Sequence, residues 1–203
     1  MARILFLTHP EVVIDPAIPV PDWPLSGVGR LRMGRFAKVL ETRGGVTAVW
    51  SSRERKARDG AEILAARLGV PHRIDPDLGE NDRSATGYLA PPEFWEVVEV
   101  FFGRPDDSVR GWETARAAQA RIVGAVNRLA AAEKTEGDIV VVSHGGVGRL
   151  LMALLQGVEI GEEDRPPHPG GGCWMELDRG SLRVETSWQA IADARLATDG
   201  EAD

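Results

Sequence analysis

Only 4 histidines occur among the 203 residues, and two of them, His9 and His144, directly follow short apolar runs. Ile4-Leu5-Phe6-Leu7 leads into Thr8-His9-Pro10, and Ile139-Val140-Val141-Val142-Ser143 leads into His144-Gly145-Gly146. A third run, Val46-Thr47-Ala48-Val49-Trp50, stops at Ser51-Ser52 and is followed by Arg53-Glu54-Arg55-Lys56. A neutral imidazole is a competent nucleophile near pH 7. Cations and the free N–H groups at helix starts favour bound phosphate. If the three run ends share one rim, these residues suit the binding or transfer of a phosphoryl group. Singly, each has a plainer reading: a structural histidine, a solvated basic helix face, or glycines that permit a tight turn. Two of the few histidines at strand ends favour the functional one.

The elements around these residues must form such a rim. The apolar run from Arg3 to Leu7, bounded by Thr8-His9-Pro10, suits a buried strand. Residues 10 to 26 hold five prolines and little periodicity, which predicts a surface excursion. Ser26 reads as the N-cap of a helix running to Arg43, closed by Gly44-Gly45. A strand at 46 to 50 precedes a helix through Ala61, Ile63, Leu64 and Leu68, with Gly69 and Pro71 as stop signals. A short strand is expected at His72 to Ile74 and loop over 75 to 92. Helices are expected from Pro92 to Phe102 and from Gly111 to Glu133. Asp138 to Ser143 is the clearest strand, and Val147, Leu150, Leu151, Leu154 and Leu155 form a helical stripe after it. Cys173 to Leu177 and Leu182 to Ser187 read as a hairpin turned at Asp178-Arg179-Gly180-Ser181.

Alternating buried strands and amphipathic helices imply an α/β fold: three layers, α/β/α, with a mainly parallel sheet and an antiparallel edge. In such sheets, sites form beyond the carboxyl ends of the strands. One domain over 1–203 is expected, with 75–115 as an insertion covering the site and 194–203 frayed. A hydrophobic content of 43% and a charged content of 27% are those of a soluble globular protein. The net charge of -7 gives no general attraction to nucleic acid or to an anionic membrane. The apolar run near the N-terminus is too short for a signal peptide or a membrane span. A single cysteine, Cys173, fits a reducing, cytoplasmic location, and no Cys/His cluster has metal-ligand spacing. No Gly-x-Gly-x-x-Gly follows the first strand, which removes the usual dinucleotide fingerprint.

Four blocks resemble the histidine phosphatase (phosphoglycerate mutase-like) superfamily. VWSSRERKARDGAEILAARLGV resembles its Ser-Ser motif, DIVVVSHGGVGRLLMALLQG its Ser-His-Gly-Gly motif, and DPDLGEND the stretch with its acidic residue. LFLTHPE stands in the place of its Arg-His-Gly motif. The resemblance implies a phosphoglycerate mutase-like fold. It further implies a phosphatase that hydrolyses a phosphomonoester through a phosphohistidine intermediate, without metal or cofactor. His9 would attack, His144 would stabilise charge on the transferring group, and Glu80 would protonate the leaving oxygen and activate water. Lys56, Arg55, Thr8, Gly145 and Arg83 would hold the substrate, a small phosphorylated molecule or a phosphoprotein.

Two departures from the family pattern bear on rate. Thr8 and Pro10 replace the arginine and glycine around His9, and Lys56 stands at the second phosphate-binding arginine. Lysine keeps the charge and loses the bidentate fork. Arg55, Arg30, Arg83 and Arg149 are candidates to fill the space. The alternative reading is a weak or silent member that binds a phosphorylated ligand or protein. His72 and His168 are read as outside the chemistry, with 165–172 as a candidate flap, and Trp95 and Trp112 as core residues before pocket residues.

Overall fold

The computed structural model describes residues 2–134, 136–168 and 170–192. The tail expected to fray, 194–203, lies outside them. Six strands, β1 (Arg3–Thr8), β2 (Val46–Ser51), β3 (His72–Ile74), β4 (Asp138–Ser143), β5 (Cys173–Asp178) and β6 (Val184–Ala190), form one sheet in the order β3-β2-β4-β1-β5-β6. β3, β2, β4 and β1 run parallel, and β5 and β6 complete an antiparallel edge.

Side chains alternate across the sheet, so each strand feeds two cores. Leu5, Leu7, Val49, Val140 and Val142 face α1 (Gly27–Arg43) and α2 (Arg55–Leu68). Ile4, Phe6, Ala48, Ile139 and Val141 face the other way. There they meet α3 (Glu93–Gly103), α4 (Ala115–Ala132) and α5 (Gly145–Gln156). Both faces are therefore apolar, which is why the central strands read as continuous hydrophobic runs rather than alternating ones. This is the expected three-layer α/β arrangement.

Local chemistry sets the ends. Ser26 Oγ accepts from Gly29 N at 3.0 Å and starts α1. Gly69 and Gly157, both left-handed, close α2 and α5. Two boundaries differ from expectation. α4 begins at Ala115 rather than Gly111, because Arg110 and Gly111 have positive φ and Thr114 Oγ1 caps the helix by accepting from Ala117 N at 3.1 Å. The second hairpin strand starts at Val184 rather than Leu182, whose φ of 56° belongs to the turn. Within 75–115, Trp112 is a core residue as expected, whereas Trp95 is 48% exposed. No helix among the described residues is long and apolar enough to cross a membrane.

The first turn of α5 sits close on the sheet. A Cβ at Gly148 would lie 2.9 Å from the Trp188 ring and 3.0 Å from Phe6. Replacing a helical glycine usually stabilises by about 1 kcal/mol. Here the sign reverses: Gly148→Val is expected to destabilise by about 1–3 kcal/mol, read as a lower urea midpoint at unchanged slope.

Candidate active site

Parallel pairing sets three strand ends level. Thr8 stands opposite Ser143 in the β1–β4 register, and Ser51 opposite Val142 in the β2–β4 register. The ladder continues one step past the strands: His9 N donates to Ser143 O at 3.1 Å and Ser52 N to Val142 O at 3.2 Å. The His9 and His144 rings thereby come within 5.2 Å between centroids, edge to face at 68°.

His9 Nδ1 lies 2.9 Å from Pro10 O. A carbonyl oxygen only accepts, so the proton sits on Nδ1 and Nε2 keeps its lone pair. Desolvation, with the Lys56 charge nearby, pushes the His9 pKa down to about 4. The ring is thus neutral at pH 7. From outside, Gly171 and Gly172 clasp its backbone: Gly172 N donates to His9 O at 3.0 Å, and a Cβ on Gly171 would fall 2.0 Å from that oxygen. The 165–172 segment therefore ends against the candidate nucleophile. Thr8 points elsewhere. Its hydroxyl accepts from Cys173 N at 3.0 Å and donates to Cys173 O at 3.4 Å, so it braces β1 against β5 and has no proton left for a substrate.

His144, the N-cap residue of α5, is fully buried. Its Nε2 lies 2.8 Å from Ser52 Oγ and 3.3 Å from Glu54 Oε1, while its Nδ1 has no partner. Burial holds its pKa well below the usual histidine value. Lys56 is also buried, and its Nζ donates to Glu54 Oε2 at 2.5 Å and to Val20 O at 2.9 Å. Burial by itself would raise the Glu54 pKa. The Lys56 charge, with hydrogen bonds from Lys56 Nζ and Glu80 N, holds it well below the carboxylate range.

Glu80 completes the rim. Its carboxylate accepts from Gly146 N and Val147 N, each at 3.0 Å, and so occupies the start of α5. A Cβ at Gly146 would stand 2.5 Å from Glu80 Oε1, which explains the second glycine after His144. The loop bearing Glu80 is pinned from beneath. Arg121 of α4 donates to Asp77 O, Gly79 O and Glu80 O, and Ser143 Oγ donates to Leu78 O at 2.7 Å.

The candidate arginines separate. Arg30 pairs with Asp59, Arg149 pairs with Glu163, and Arg55, the first residue of α2, is exposed. Arg83 lies over the rings of Phe94 and Trp112 at 5.3 and 5.6 Å, and its charge is felt by both His9 and His144. Of the residues singled out from sequence, His9, His144, Glu80, Lys56, Gly145 and Arg83 converge; the Thr8 hydroxyl and Arg55 do not join them. Glu54 was missed. It lies inside the Ser-Ser block, but a glutamate within a basic run reads as a solvated charge until its burial is seen. His72, read as outside the chemistry, donates from Nε2 to Ser51 Oγ at 2.8 Å, because that hydroxyl donates onward to Ser52 O. Among the described residues, no group of His, Cys, Asp or Glu is arranged to hold a metal ion.

A family model described as histidine phosphatase superfamily (branch 1) matches residues 17–190. The match begins beyond Thr8-His9-Pro10, where the sequence departs most from the family motif. No curated protein matches the chain. Several solved structures share its fold. A mycobacterial glucosyl-3-phosphoglycerate phosphatase in complex with inorganic phosphate is 24% identical with a TM-score of 0.75, covering 96% of this chain and 99% of that one. Bacillus stearothermophilus YhfR is 20% identical at a TM-score of 0.74, covering 92% and 96%. A putative alpha-ribazole-5'-P phosphatase from Escherichia coli is 19% identical at 0.70, covering 97% and 99%.

The buried imidazoles make stability depend on pH. In the unfolded chain His9 takes up a proton near pH 6.5, whereas the folded one waits until about 4. Unfolding is therefore favoured increasingly as pH falls through that window, and stability is full above it. Urea midpoints are expected to drop between pH 7 and pH 4.5, less steeply for His9→Gln than for wild type. Equal slopes would place the acid sensitivity elsewhere.

Proposed function

The chain belongs to the histidine phosphatase superfamily (branch 1), and on that premise we propose that it hydrolyses a phosphomonoester through a phosphohistidine on His9. The observation that carries this reading is the Nδ1 bond to Pro10 O, which leaves Nε2 unprotonated beside His144. The Nε2 lone pair attacks phosphorus, an N–P bond forms, and the P–O bond to the leaving group breaks. The leaving oxygen takes a proton from the Glu80 carboxyl. Water then attacks phosphorus and returns a proton to Glu80 as the N–P bond breaks and His9 recovers its lone pair.

In this proposal Lys56, Arg83 and the N–H of Gly145 at the start of α5 hold the phosphoryl oxygens, with His144 beside them. The transition state is loose and rich in charge, so this positive field does the work and no metal is called for. Arg83 takes the place left by the arginine absent at Thr8. Its guanidinium lies over the rings of Phe94 and Trp112, whose faces attract the cation. The substrate is a small phosphorylated molecule or a phosphoprotein.

One observation favours the second reading, a member that binds a phosphorylated ligand with little turnover. Lys56 already carries an anion, Glu54. Rapid-quench kinetics separate the two. The enzyme is expected to show a burst of acid-labile phosphohistidine, and His9→Ala to lower hydrolysis by a factor on the order of a thousand or more. Arg83→Ala is expected to lower kcat/KM by roughly a hundredfold. Phosphate binding with equal turnover in wild type and His9→Ala would establish the binding protein instead.

A further inference from the structure

Glu54 is an odd residue to find beside a phosphate. It is a buried carboxylate, and it bridges the two groups that the proposed reading sets around the phosphoryl oxygens: Oε2 on Lys56 Nζ at 2.5 Å and Oε1 3.3 Å from His144 Nε2. Every element packed around it brings a polar or charged group. β1 ends in His9 and β2 leads into Ser52, while α2 brings Lys56. The loop before α3 brings Arg83 and Glu80, whose N–H binds Glu54 Oε1 at 2.8 Å, and α5 brings His144. The two cations, Lys56 and Arg83, are thus matched by two carboxylates, Glu54 and Glu80.

We propose that Glu54 is a specificity-determining residue that selects a phosphoryl group carrying a proton, in its singly charged form, by accepting a hydrogen bond from P–OH. This rests on the proposed reading that the phosphoryl group lies among His9, His144 and Lys56. An oxygen held by Lys56 comes within reach of Glu54, since Lys56 Nζ lies 2.5 Å from Glu54 Oε2. A fully ionised oxyanion offers acceptors only, so against Glu54 it sets lone pairs facing lone pairs, at close quarters and away from water. A phosphomonoester monoanion has one P–OH, a donor for the Glu54 lone pairs that Lys56 and the Glu80 amide leave open. Its lower charge also suits a pocket whose cations are already half neutralised. The imidazoles do not interfere with the selection, because His9 stays neutral down to about pH 4 and His144 is held lower than its ordinary value by burial.

Two simple probes separate proton-bearing from proton-free anions. Inorganic phosphate keeps at least one proton through neutral pH, whereas sulfate carries none. Each is titrated calorimetrically into the full chain and into Glu54→Gln, from about pH 5.5 to about pH 8.5. Wild type is expected to bind phosphate at least about tenfold more tightly than sulfate. Its preference for phosphate over sulfate should persist across this range, because phosphate keeps at least one P–OH throughout. Sulfate binding reports any pH dependence belonging to the protein alone. Glu54→Gln, whose amide can donate, is expected to lose the discrimination. Equal binding of sulfate and phosphate by wild type, or unchanged discrimination in Glu54→Gln, overturns the role of Glu54 and leaves the phosphoryl site standing. Binding of neither anion by wild type or variant overturns both. Should Glu54→Gln fail to fold, the wild-type ratio of phosphate to sulfate affinity still decides.

Discussion

The register between β1, β4 and β2 governs what this molecule can do. Strand pairing places Thr8 against Ser143 and Ser51 against Val142, and the neighbouring ladders run only about 5 Å apart. His9, Ser52 and His144 each lie one residue beyond those positions, so they meet whatever the loops do. A slip of one residue in any strand would turn its apolar set to the wrong core and carry its functional residue to the other face. The two hydrophobic layers hold the register, and through it the distance between the histidines. Packing and site geometry are here one constraint.

Electrostatics at this rim is a matter of shared partners rather than of isolated ion pairs. Glu54 binds Lys56, faces His144 and receives the Glu80 amide, while Glu80 binds the amides that open α5. The helix start that would offer free N–H groups to an anion already has two of them engaged, which narrows its offer to Gly145. Buried charges of this kind persist because each carboxylate oxygen has a partner. The same closure makes the pocket less positive than a row of arginines would. Arg83 tempers this, lying over the rings of Phe94 and Trp112 with its charge felt by both histidines.

Glycine and arginine positions away from the chemistry keep the reacting groups in place. Gly146 makes room for the Glu80 carboxylate, and Gly171 for the His9 carbonyl. Arg121, from the opposite side of the Glu80 loop, satisfies three backbone carbonyls that would otherwise be left without donors. These contacts act on position and not on bonds being made. They also explain how a loop of mixed polar residues becomes a fixed wall.

Local pattern alone determined much of the protein. Continuous apolar runs ending in polar residues gave the strands and the order in which they must be read, and caps and glycines gave helix ends to within a few residues. The Ser-His-Gly-Gly and Ser-Ser blocks marked which strand ends carry the candidate site, because those signals are short-range and survive without three-dimensional context. What sequence could not decide depends on where side chains point and what they exclude from water. Thr8 neighbours His9, yet its hydroxyl is turned to Cys173. Arg55 and Arg83 looked alike, and only packing against Phe94 and Trp112 set Arg83 toward the histidines. Glu54 read as one charge in a basic run, and burial between Lys56 and His144 made it part of the pocket. Strand propensity is written in neighbours along the chain, whereas desolvation and pairing of charge belong to residues that only the fold brings together.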